Sequence, residues 1–170
     1  TKKYIADHYA SLGLSSFGDS YLLLVNLTGL TLDESTSFMD LKVGGESLDL
    51  VYRRDMVYWT KRQVANAVVE DSELVFVGYG VNAPEYGWND YKVDVTGKTV
   101  VMLINDPGFE LQGEDFNGKS MTYYGRWTYK FEEAARQGAV GAIIIHETAP
   151  AAYGWNVVET SWSGEQVDLS

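Results

Sequence analysis

Two histidines, His8 and His146, are the only imidazoles in a chain of 170 residues that has no cysteine. Zinc catalysis needs three converging protein ligands and an open position. No HxD or HExxH spacing accompanies either histidine, so the chain does not encode a complete catalytic zinc site, and His8 reads as an exposed or packing residue. Glu132 and Glu133 resemble a base-and-ligand pair. Adjacent helical side chains diverge by about 100°, however, and both are expected on a solvated face. Glu110, Glu114, Asp115 and Asn117 offer oxygen ligands without the spacing of a calcium loop, which reads as a solvated loop. Ser163 lacks the flanking glycines and strand context of a nucleophile elbow. Gly78-Tyr79-Gly80-Val81-Asn82-Ala83 has the glycine pattern of a dinucleotide loop, but the helix such a site requires is replaced by Pro84 and Gly87. Those glycines are expected to allow a bulge or a tight strand exit. The aromatic loops remain: Tyr86, Trp88 and Tyr91, then Tyr153, Trp155 and Trp162. Aromatic residues outside regular elements either pack their own loops or form a binding surface, and both readings stay open.

The balance of charge narrows the partners. A formal net charge of −11 and a pI of about 4.5 argue against nucleic acid and against anionic membrane, which need clustered Lys and Arg. No segment reaches the ~18 apolar residues of a membrane span. Without cysteine there are no disulfides and no thiolate metal sites, and the compartment is left open. Seventeen glycines and 14% aromatic residues point to ordered, turn-rich loops. Asn26-Leu27-Thr28 matches a glycosylation sequon, which matters only in a eukaryotic secretory context. The chain opens on Thr1 inside a helical pattern, as an excised or trimmed chain would.

The elements that must position these residues centre on Met121 to His146. Tyr124, Trp127, Phe131 and Ala134 or Ala135 recur at the helical period, with Arg126, Lys130, Glu133 and Arg136 opposite. Gly138 supplies the stop. Val140 to Ile145 follows as an apolar run expected to be a strand covered on both faces, and Thr99 to Ile104 is a second such run. Two apolar runs joined by a helix predict parallel neighbours, with the crossover burying the Trp127 face. Upstream, Ile5, Tyr9 and Leu12 line one face of a short helix over Lys2 to Leu12, stopped by Gly13. Strands are expected over Tyr21 to Leu27, Val64 to Val69 and Leu74 to Tyr79. A hairpin is expected from Phe38 to Val43 and Ser47 to Val51 about Gly44-Gly45. Arg53 to Arg62 is a partly basic segment without a clear pattern. Gly80 to Tyr91, the long stretch from Asn105 to Ser120, and everything after His146 read as loops.

Several of these stretches together resemble a known family. Leu74 to Gly80, Asn89-Asp90-Tyr91, Asp94 to Val101 and Phe131 to Ile145 resemble the protease-associated domain inserted into bacterial zinc aminopeptidases of the glutamate carboxypeptidase-like family. Asn105 to Phe109, Tyr123 to Lys130 and His146 to Trp155 resemble a secreted or periplasmic branch of it. The resemblance implies an α/β, swivelling β/β/α domain over residues 20–170. Residues 1–19 would then be a remnant of the peptidase domain's first helix with its linker. It also implies that the zinc ions and the general base lie in the peptidase domain, so no catalytic or metal residue and no cofactor is expected here. The implied role is to cover or gate the active-site cleft, with the chain's own peptidase domain and a peptide or protein as partners. His146, Tyr153, Trp155 and Asn156 are the expected substrate-facing residues, because ligands gather beyond the carboxyl ends of parallel strands. Relatives often carry a glycine within the stretch corresponding to Asp90-Tyr91-Lys92-Val93-Asp94, and this chain has none, which leaves the course of that loop open. The alternative is a free-standing peptide- or glycan-binding module that uses the same aromatic loops.

Overall fold

The computed structural model describes residues 1–111 and 115–170. In chain order its elements are α1 (Lys2–Ser11), β1 (Leu27–Leu30), β2 (Leu41–Val43), β3 (Glu46–Leu48), β4 (Leu74–Phe76), β5 (Asn82–Ala83), β6 (Trp88–Asn89) and β7 (Thr99–Leu103). They continue with α2 (Trp127–Arg136), β8 (Gly141–Ile145), α3 (Thr148–Ala151), α4 (Trp155–Trp162) and β9 (Gln166–Leu169). The protein is thus mixed α/β, as its pattern predicts. Two compact units divide the chain: Thr1–Leu48 with Ser163–Ser170, and Asp49–Trp162.

In the unit Asp49–Trp162 the two apolar runs are parallel neighbours, as expected. A three-stranded sheet has the order β4-β7-β8, with Thr99 opposite Gly141 and Leu103 opposite Ile145. β7 is central because it is flanked on both sides, and its Val100 and Met102 are fully buried. Ala134 of α2 joins them in one core cluster with Val77 and Val95. Gly138 ends the helix at a φ of 80°, the left-handed geometry its position requires.

Three expectations fail here. The buried face of α2 is Tyr129, Lys130, Glu133 and Ala134, whereas Trp127 and Phe131 are only half-buried. The helix is turned because Tyr129 bonds the backbone of Asn82 and Lys130 that of Tyr79, so polar tips reach loops beyond the sheet. Strand β8 is half-exposed along most of its length: it has a strand neighbour on one side only. The region after His146 is not loop but α3, α4 and β9. Helix α4 is held by Trp162, which stacks on Trp127 at 4.9 Å and packs on Trp59 at 4.8 Å.

The unit Thr1–Leu48 with Ser163–Ser170 contains α1, the antiparallel pair β1-β9 and the hairpin β2-β3. The hairpin turns at Gly44-Gly45, whose φ values of 62° and 87° suit the primed turns that match strand twist. Tyr21 to Asn26 is not a strand; the pairing begins at Leu27. Val64 to Val69, in the other unit, forms no strand either. β-branched residues favour strands only where a partner offers packing, and Val64, Val68 and Val69 are all exposed. No residue from 1 to 48 or from 163 to 170 is buried, and α1 buries none of its Ile5, Tyr9 or Leu12.

Candidate functional site

The residues with the most chemistry lie beyond the carboxyl ends of β7 and β8. Asn105 leaves β7 with a φ of 69° and its Nδ2 donates to the Pro150 carbonyl at 2.8 Å, so the loops that follow the two strands are tied together. The Asp106 carboxylate, fully buried, accepts from the Gly108 amide at 3.1 Å and from the amide and hydroxyl of Thr122 at 2.9 and 2.6 Å. It therefore serves as an anchor for the loop and is not exposed to a substrate.

His146 lies one residue past β8. Its Nε2 donates to the Tyr153 carbonyl at 3.1 Å, since a carbonyl can only accept. Its Nδ1 is buried with no hydrogen-bond partner among the described residues. The Tyr153 ring stacks on the imidazole at 5.4 Å, and the Trp155 ring lies 6.0 Å away. The indole Nε1 of Trp155 donates to the Arg53 carbonyl at 2.7 Å. Three of the four expected site residues are thus gathered. Asn156 is exposed in the first turn of α4, and its carbonyl accepts from the Thr160 hydroxyl at 2.8 Å. Arg53, whose backbone φ is 70°, is not among the expected residues. Only a chain-distant contact brings it here, and no local pattern points to it.

Helix α2 contributes two buried ionisable groups. The Lys130 ammonium donates to the Tyr79 carbonyl, and burial pulls its pKa down to about 7 against the opposing pull of Asp90 and Asp106. Glu133, expected to be solvated, is 5% exposed. Burial pushes its carboxyl up, but bonds from Gln137, Arg136 and Asn82 outweigh that and hold it below the usual range. Glu132, by contrast, is exposed as expected.

The first aromatic loop proves to be packing. Tyr91 is buried, Trp88 Nε1 donates to Asp90 at 2.9 Å, and Tyr86 and Trp88 close on Phe116 at 4.6 and 5.7 Å. Gly80 leaves the strand at a φ of 64°, with Met102 Sδ only 2.7 Å from where a Cβ would lie. The glycine pattern is a tight strand exit, followed by a short hairpin and not by a helix. Glu114 of the acidic loop lies outside the described residues. Among the described residues no group of three or more His, Asp or Glu could hold a metal ion, and no helix is long and apolar enough to cross a membrane. The chain matches no family model, no curated protein and no solved structure.

Proposed function

We propose that this chain is the non-catalytic protease-associated region of a secreted or periplasmic zinc aminopeptidase, and that it borders the active-site cleft and helps select peptide substrates. The observation that carries the reading is the cluster of His146, Tyr153 and Trp155 beyond the carboxyl end of β8. Parallel sheets present ligand-facing groups at that edge. The ordered motifs of the sequence and the β7-α2-β8 unit agree with such a domain. So does the first unit, which leaves Leu22, Leu23, Leu24 and Val25 exposed, an apolar surface of the kind a larger body covers. On this reading that body is the peptidase domain, which would hold the zinc and supply the general base. The residues of this chain would contribute aromatic contact area and the unpartnered imidazole nitrogen of His146.

The test is made in the whole enzyme. Trp155→Ala removes the ring beside His146 and frees the Arg53 carbonyl. It is expected to raise KM for longer peptides severalfold while leaving turnover of a single aminoacyl amide unchanged. Unchanged kinetics across peptide lengths would overturn the proposal. The isolated chain with added zinc is expected to hydrolyse no aminoacyl substrate.

A further inference from the structure

The unit Thr1–Leu48 with Ser163–Ser170 has no core of its own. None of its residues is buried. Its strands form only two-stranded sheets, which are marginal in water until further strands or a packing surface complete them. One stretch shows where completion is needed. Phe17, Leu22, Leu23, Leu24, Val25 and Leu27 are between 47% and 96% exposed. Together they offer an area on the order of the ~800 Å² per partner that a standard interface buries. Single apolar residues are ordinary on a surface, whereas a contiguous run of this kind marks a contact.

The backbone of the stretch is open as well. The β1-β9 ladder ends where the Asn26 carbonyl accepts from the Ser170 amide at 3.1 Å. Before it, Leu23, Leu24 and Val25 make no backbone hydrogen bond among the described residues. β1 itself has a strand on one side only, and an apolar edge of that kind is a template for another strand. Charge decides which strand. Residues 1–30 hold Lys2 and Lys3 against Asp7 and Asp19, so the whole net charge of −11 lies in the rest of the chain. Two copies of so acidic a chain repel, and a patch without net charge is where they can approach. Apolar contact with little charge is also the composition of interfaces between identical chains.

We infer that two copies of this chain pair edge to edge through residues 22–27 and β1, antiparallel about a two-fold axis, so that both β1-β9 pairs join in one four-stranded sheet. Such self-pairing is isologous: the same patch serves on both copies, and the contact closes on a dimer. The side chains of the run then cover one another across the axis, and the open edge donors and acceptors of each copy meet those of the other. The inference concerns the chain by itself and goes beyond the proposed function, in which a peptidase domain covers the same surface. Its failure would leave that reading untouched.

The test is sedimentation equilibrium of the full chain. Loaded from about 1 to 100 μM, it is expected to show a monomer and a dimer exchanging by mass action. Leu24→Glu puts a charge into the contact and should raise the dimer dissociation constant at least about tenfold. Val25→Pro should do the same: Asn26 faces β9, alternation puts the Val25 amide on the open side, and proline removes that donor. Both positions are exposed and every buried residue lies in the other unit, so both variants are expected to keep the near-ultraviolet circular dichroism of the parent. Val68→Glu, at a position 65% exposed in the other unit, should leave the dimer intact. A monomer at every concentration, open-ended assembly in place of a dimer, an unchanged dissociation constant in Leu24→Glu or Val25→Pro, or loss of the dimer in Val68→Glu would each overturn the inference.

Discussion

Lys130 shows how a single side chain can set the pH response of this protein. Its amine is fully buried yet bonded to the Tyr79 carbonyl, and its folded pKa of about 7 lies well below the ordinary 10.5. Between those values the unfolded chain holds a proton that the folded chain has released, so stability rises with pH across that window. Readings belong below the tyrosine range, because Tyr91, pushed up by its burial and by Glu133, contributes with the opposite sign above it. Lys130→Met should remove the rise. Melting temperatures of both proteins at pH 7, 8 and 9 decide this, and parallel profiles would sink the assignment. Nothing local in the sequence reveals this burial. A lysine within a periodic helix reads as a polar-face residue, and only the Tyr79 carbonyl in the loop after β4 makes its inward position tolerable.

Among the elements, α2 carries most of the architecture. Its apolar period correctly implies a helix between parallel strands, but the strongest apolar residues do not define its inner face. Trp127 and Phe131 lie against Trp162 of α4, while Glu133 turns inward to meet Asn82, Arg136 and Gln137. With its carboxyl held below the ordinary 4.5, Glu133 contributes stability that is present above that value and lost as pH falls through the folded pKa. Glu133→Gln should flatten the acid limb of the stability curve. It should also cost about 1–2 kcal/mol at neutral pH, through the weakened bond to Arg136. Urea denaturation at pH 7 and pH 4 measures both, and an unchanged acid limb would show that the carboxylate bonds contribute no net stability. Helix α4 is invisible in the sequence because Trp155 to Trp162 contains Val157, Val158 and Thr160, whose β-branching lowers helical propensity. Packing of Trp162 on three aromatic rings supplies what local preference lacks.

At the scale of the whole molecule, all of the buried residues lie in the unit Asp49–Trp162. Helix α1 buries nothing, so deletion of residues 1–13 is expected to move the melting temperature by no more than about 2 °C, readable by calorimetry. A larger fall would mean that α1 belongs to the folded core. The sequence by itself determined the parallel β7-β8 pair with its helical crossover, the Gly44-Gly45 hairpin and the tight exit at Gly78 to Gly80. Each rests on period, apolar run length or backbone freedom, properties contained within a few neighbouring residues. It also marked His146, Tyr153, Trp155 and Asn156 as lying past a strand end, since strand ends can be read from an apolar run; the rings of the first three meet in the fold. Tertiary structure alone decided which face of α2 turns inward, which charges are buried, and that Arg53 meets Trp155 across a separation of 102 residues. Such contacts depend on how distant segments fold back on one another, and no local periodicity records that.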